Sequence, residues 1–343
     1  MNIWQRSYTR KSSDKYGRGE IIRFFASLSL LFLLILVLAV LFGSTSTGIR
    51  EALTEGKDSA AYRIFLYVRF PRAFAAVLAG SALAVSGAMI QAVLNNAMAA
   101  PNIIGVNSGA GLAVTLLVAL NPAAVNYLPY AAFFGALAAC LCIYAIAART
   151  GASRMTITLV GISISSILTA GINTVKTLFP DSLYNSNAFL VGGISGVSMD
   201  RLSPACWLIA LGLACAWLMA KDTDVLNLGE ETAGSLGMNV KATRFVLLLL
   251  ASVLAGSAVS FAGLLGFVGL LVPHICRRFV GGTHRRLIPA CALGGATLML
   301  LCDLAARLLF SPYELPVGII LSLVGGPFFL MLILVQRKTR LYD

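Results

Sequence analysis

The sequence predicts an all-α fold, a polytopic bundle of about ten transmembrane helices of about 20 residues each, and three observations predict it. Hydrophobic residues make up 58% of the 343 positions and charged residues only 12%, whereas soluble domains run at about 25% charged. No charged residue occurs between Arg72 and Arg149, a stretch with room for three crossings and their turns. Apolar runs of similar length then recur to the C-terminus, and mean hydropathy is +0.87.

The elements follow in chain order. Residues 21–42 form the first apolar run, behind a basic head containing Arg6, Arg10, Lys11, Lys15, Arg18 and Arg23. The run is longer than a secretory core and no A-x-A site follows it, so it is read as a retained span. Pro, Asn and small residues at 95–101 and 121–129 punctuate the uncharged stretch. Further runs lie at 155–178, 203–220, 243–262, 264–280, 287–309 and 315–335. Residues 1–20 are thus expected as a cytoplasmic basic segment, 21–336 as the spanning unit and 337–343 as a cytoplasmic tail.

Charge sets the orientation. An even number of spans with the N-terminus inside assigns the basic head, Arg149, Arg154, Lys221, Lys241, Arg244, Arg277, Arg278, Arg285, Arg286, Arg337, Lys338 and Arg340 to inner segments. That is 18 of the 26 Lys and Arg residues, an excess that favours both termini inside. The formal net charge of +12 therefore reads as membrane orientation and attraction to anionic lipid, not as nucleic-acid binding. An echo supports internal repetition: Val77-Leu78-Ala79-Gly80-Ser81-Ala82 leads to Gly87, and Val253-Leu254-Ala255-Gly256-Ser257-Ala258 leads to Gly263 at the same offset. It is either the trace of an inverted repeat or a chance match of two small-residue helices.

Chemistry is sparse. Seven cysteines (Cys140, Cys142, Cys206, Cys215, Cys276, Cys291, Cys302) sit mostly in apolar runs without Cys-x-x-Cys spacing, and read as packing residues. His274 and His284 lack partners at ligand spacing, so no metal site is expected. Among the acidic residues only Asp303 falls inside a span, with Arg307 at i+4; the pair reads equally as an ion relay or as a self-neutralising structural pair. The one Gly-Lys step, Gly56-Lys57, lacks the phosphate-loop pattern, so a partner would have to hydrolyse any ATP. No nucleophile–base pair suggests an enzyme. Residues 227–237 predict a short inner helix, with Asn227 and Glu230 spaced as a capping box and Gly237 as a left-handed C-terminal cap. Ser163, Ser166, Asn173 and Thr177 share one face of the fifth span, suiting either a pathway lining or interhelical hydrogen bonding. Gly105-x-x-x-Gly109 suits close helix packing.

Several stretches together resemble the iron–siderophore permease family (FecCD-type) of ATP-binding-cassette importers, which includes the cobalamin importer permease. They are Arg69-Phe70-Pro71-Arg72, Leu78–Ala84 with Ser86-Gly87 and Gln91, Gly229-Glu230-Glu231-Thr232-Ala233 with Leu236-Gly237, Gly266 through Ile275, and Glu314-Leu315-Pro316-Val317-Gly318. Two departures stand out: Asn96-Ala97-Met98-Ala99-Ala100-Pro101 lacks the family's first proline, and Gly192-Gly193-Ile194-Ser195-Gly196 lacks the tryptophan that often precedes it.

The resemblance implies a bacterial inner-membrane importer of ferric siderophores, or alternatively of heme or cobalamin. Its partners would be a second permease subunit (itself or a paralogue), two ATPase subunits that bind ATP and Mg, and an extracytoplasmic solute-binding protein, all around the lipid bilayer. By match, Gly229, Glu230, Glu231, Ala233, Leu236 and Gly237, within a segment of about 226–238, would couple to the ATPase. Arg69 and Arg307 would dock the binding protein, and Arg72 would serve structure. The helix carrying Ser163, Ser166, Asn173 and Thr177 would border the pathway, with Lys176 near its outer end facing an anionic complex or headgroups. The competing class is an ion-coupled secondary transporter.

Overall fold

A computed structural model of the chain describes residues 17–43, 59–151, 153–180 and 183–340. Arg6, Arg10, Lys11, Lys15, Gly56-Lys57 and the last three residues lie outside them. Among the described residues the fold is entirely helical, as expected. Lipid leaves no other open solution, because each backbone N–H and C=O must find its partner inside its own segment.

Thirteen α-helices follow one another among the described residues: α1 Arg18–Leu41, α2 Ala60–Leu94, α3 Val106–Leu120, α4 Leu128–Arg149, α5 Arg154–Leu178, α6 Leu183–Val191, α7 Met199–Leu218, α8 Ala220–Asn227, α9 Glu230–Ser235, α10 Val240–Ala262, α11 Val268–Val280, α12 His284–Leu308 and α13 Val317–Arg340. Each of the ten apolar runs corresponds to one helix. Seven of these (α1, α2, α4, α5, α7, α10 and α12) are long and apolar enough to cross a membrane alone, whereas α3, α11 and the apolar part of α13 are shorter.

Helix α2 is the axis of the bundle, 83% buried over its apolar window, and α1 and α5 are peripheral at 11% and 17%. Small residues let other helices approach it. Gly80 faces the backbone of Gly295 on α12, Gly87 faces Gly269 on α11, and the Ser86 hydroxyl donates to the Ala251 carbonyl on α10 at 2.6 Å. Without a hydrophobic drive between helices in lipid, such backbone proximity supplies the packing. Gly109 likewise lies against Gly135 on α4, so the Gly105-x-x-x-Gly109 pattern is a packing device.

Two segments begin inside the bundle. After α2, Asn95 takes a left-handed conformation and the Asn96 carboxamide accepts from Met98 N at 2.9 Å. The turn therefore holds without the missing proline, and a 3-10 turn, Pro101–Ile104, seats Ile103 against Gly161 of α5. Helix α11 starts after a left-handed Phe267, packed on Gly325. Irregular backbone at this depth is tolerated where protein covers it.

The helices alternate between two ends. Gln91, the starts of α5, α10 and α12, and the segment α8–α9 gather at one end, through Arg154, Arg244 and His284. The start of α2, the end of α12 and Glu314 gather at the other. Helices α2 and α10 therefore run in opposite directions, so the two echoed segments are antiparallel neighbours. Their glycines differ, however: Gly87 is helical, while Gly263 is the C-cap of α10 with φ 69°.

Candidate functional site

Three sites emerge, one at each end and one along a peripheral helix. At the far end from α9, a charge cluster joins α1, α2 and α12. Arg72 donates from Nε to Asp303 Oδ1 at 2.9 Å and from Nη1 to Glu314 Oε2 at 2.6 Å, and Arg307 Nη2 lies 3.0 Å from Asp303 Oδ2. Asp303 is fully buried. Two cations on one carboxylate compensate its charge, which favours the structural-pair reading over an ion relay. Arg307 also donates to the carbonyls of Phe42 and Ala39, and Arg69 donates to Leu41 O at 2.6 Å. These carbonyls are the ones that the end of α1 leaves unmatched.

The docking expectation for Arg69 and Arg307 does not fit this placement. They are 5% and 2% exposed, and their guanidiniums point inward to α1. Arg69 and Arg307 do lie at one end of the bundle; whether a side chain turns outward or inward is set by the neighbouring helix. Arg72 is structural, as expected. The three arginines and Glu314 line a cavity of about 220 Å³ with Gly43, Ile64 and Val68.

Along α5 an open groove of about 510 Å³ is lined by Ser165, Ser166, Thr169 and Asn173, with Asn102, Ile103, Ile162 and Ala170. Two of the four expected pathway residues, Ser166 and Asn173, line it directly; Ser163 and Thr177 are exposed beside it on the same helix. Ser165, Thr169 and Asn102 were not singled out. The first two continue the i, i+3, i+4 stripe and were legible, whereas Asn102 arrives through the 3-10 turn.

The hydroxyls of Ser163, Ser166, Thr169, Thr174 and Thr177 each donate to their own i−4 carbonyl at 2.7–3.0 Å. What they present outward is acceptor lone pairs with the donor already used. Such a face wets a passing polar solute yet grips it weakly. Ser166→Phe fills the groove without disturbing the bundle, since the site is exposed. The expected result is near-normal thermal stability with loss of most solute uptake in reconstituted vesicles, and full uptake would remove the groove from the pathway.

At the other end, α8 and α9 form an elbow at Gly229, whose φ of 113° is open to glycine. Gly229 is the N-cap of α9 and no side chain caps it. The expected capping box is therefore absent: Asn227 is the last residue of α8, and Glu230 is the first of α9. Tertiary charge takes Glu230 instead, with Arg244 Nη2 at 2.6 Å and Arg154 Nε at 3.6 Å. The other end of α9 is as expected. Gly237 at φ 84° donates to Gly234 O, and Met238 N donates to Ala233 O at 3.0 Å, the paired bonds of a Schellman cap.

Ala233 is buried while Glu231, Leu228 and Leu236 are exposed, so this elbow presents a compact knob to whatever lies beyond it. Asp224 on α8 accepts from His284 N at 2.9 Å and pairs with its Nδ1 at 2.6 Å, fastening α8 to the start of α12. The sequence gives no local sign of this pair, whose members are 60 positions apart. Among the described residues no group of three or more His, Cys, Asp or Glu is placed to hold a metal ion.

A bundle with seven helices long and apolar enough to cross a membrane, an open polar face on one peripheral helix and a capped knob at one end has the architecture of a polytopic membrane protein. Comparison with known proteins specifies it further. The chain belongs to the FecCD transport family, whose model matches residues 30–335. It is 37% identical over 320 residues to the hemin transport system permease protein HmuU of Yersinia pestis, covering 90% of this chain and 96% of that protein. It is 36% identical to the Fe(3+) dicitrate transport system permease protein FecD of Escherichia coli (80% of this chain, 86% of that protein) and 38% identical to the cobalamin import system permease protein BtuC of Halobacterium salinarum (78% and 72%). A solved inward-facing structure of an ABC transporter assigned to the metal-chelate type superposes with a TM-score of 0.82 at 26% identity, over 91% of this chain and 98% of that one. The chain is thus a multi-pass membrane protein and a permease subunit of an ABC importer.

Proposed function

We propose that this permease carries ferric-siderophore complexes, between two permease subunits, driven by ATP hydrolysis on separate subunits. The observation that carries the reading is the α5 groove: an uncharged hydroxyl and amide face, its hydroxyl donors satisfied by backbone carbonyls, on the exterior of a chain whose relatives import iron chelates. A pre-formed chelate needs a passage that does not compete for its metal, and no metal-ligating cluster is found among the described residues. Facing α5 grooves from two copies, or from this chain and a paralogue, would enclose it.

The elbow carrying Gly229, Glu230, Glu231, Ala233, Leu236 and Gly237 would seat in an ATPase groove on the cytoplasmic side, with both chain termini on that side. ATP and Mg belong to that ATPase. A solute-binding protein would meet the opposite end through groups other than the buried Arg69 and Arg307. The second reading, hemin or cobalamin import, has its support in the 37% identity to the hemin permease along nearly its whole length.

Uptake in cells lacking the gene and complemented with it separates these readings. Radiolabelled iron supplied as a hydroxamate or catecholate chelate is expected to accumulate, and uptake is expected to stop when the partner ATPase is inactivated. Restoration by hemin or cobalamin alone would replace the substrate. Uptake that survives without ATP hydrolysis and follows an ion gradient would establish a secondary transporter instead.

A further inference from the structure

We propose that Arg154 is a positioning residue that ties the coupling elbow to the pathway helix, so that displacement of α9 is delivered to α5. The inference rests on the coupling role proposed above and names the joint through which it would act. Arg154 is the first residue of α5, the helix whose face forms the groove. Its guanidinium reaches both arms of the elbow: Nη2 donates to Leu226 O, near the end of α8, at 3.2 Å, and Nε lies 3.6 Å from the Glu230 carboxylate at the start of α9. Between those two attachments stands Gly229, in a conformation that side chains disfavour, bonded through N–H to Leu226 O at 3.3 Å and through its carbonyl to Ala233 N at 2.9 Å.

Those backbone bonds join the two arms to each other, and Arg154 is the side chain that joins both arms to α5. Its planar fork can hold a carbonyl and a carboxylate at once, which a lysine ammonium on a single flexible stem does less well. The same carboxylate is anchored to Arg244, 1% exposed on α10. The start of α9 is therefore held between a largely buried core helix, α10, and a peripheral one, α5.

Arg154 is half-buried, so replacing it should leave assembly intact and alter what the assembly transmits. The test uses the permease purified with the ATPase that copurifies with it, in nanodiscs, with hydrogen exchange followed with and without ATP plus vanadate. In the wild type, trapping is expected to slow exchange in α9 and to change it in the first half of α5. In Arg154→Met, the α9 response is expected to persist while the α5 response falls about tenfold, a size within the range for residues that carry coupling. Arg154→Lys should fall between the two, and it supplies the measurement if the methionine variant does not assemble. An α5 response unchanged in both variants would overturn the joint while leaving the coupling role standing. Absence of any α9 response in the wild type would overturn the coupling reading and the joint with it.

Discussion

Replacing Arg72 with methionine is expected to destabilise the permease by up to about 3 kcal/mol, at or below the low end of the cost of breaking a buried ion pair, because buried Asp303 retains one cation. Arg72 holds two carboxylates from two different segments, Asp303 on α12 and Glu314 beyond it, at 2.9 and 2.6 Å. Remove it and Glu314 loses this cation while fully buried Asp303 keeps only Arg307. Asp303→Asn fails in the opposite sense. It leaves Arg72 and Arg307 close together with less negative charge, and Arg69 stands in the same cavity.

The two variants are expected to interact. Arg72→Met with Asp303→Asn removes one charge of each sign, so the double variant should lie closer to wild type than the sum of the two losses. Thermal unfolding in detergent of all four proteins measures this directly. Additive losses would mean that the pair is not coupled across α2 and α12 as the geometry states.

This cluster also shows what the sequence could and could not disclose. The ten apolar runs were legible because lipid imposes one rule on every spanning segment, and each run became a helix. Arg69, Arg72 and Arg307 were legible as belonging to the same end. Their inward direction was not, because it depends on carbonyls at the end of α1 for Arg69 and Arg307, and on Asp303 and Glu314 for Arg72, all distant in sequence. Glu230 makes the same point on a smaller scale. The Asn227–Glu230 spacing obeys a local capping rule, yet the buried guanidinium of Arg244 offers the carboxylate a stronger partner than a backbone N–H. The shortness of α3 and α11 was equally hidden: they start just after Gly105 and Phe267, both left-handed, and hydropathy does not register φ. On α5, by contrast, a period of 3.6 sufficed to find two of the groove's four polar α5 residues, Ser166 and Asn173, since that helix is largely exposed.

The second large effect is expected at Gly87. A Cβ there would collide with the backbone of Gly269, and backbone cannot yield as a flexible side-chain end can. Gly269 in turn has Leu83 O of α2 and Pro101 Cδ beside it, so the two helices meet backbone to backbone over a full turn. One turn beyond, the Gln91 side chain donates to Gly269 O at 3.2 Å and accepts from Arg277, fixing the same crossing with polar bonds. Gly87→Val is therefore expected to cost more than about 3 kcal/mol, beyond ordinary overpacking, and to abolish accumulation of folded protein in the membrane. Gly326→Ala is the matched comparison. It lies in α13 with nothing near its missing Cβ, and gaining a side chain in a helix should stabilise by about 0.5–1 kcal/mol. The contrast isolates the contact from the general preference of helices against glycine. Equal yields of the two variants would show that α2 and α11 do not meet at Gly87 and Gly269, and the central position of α2 would lose its main support.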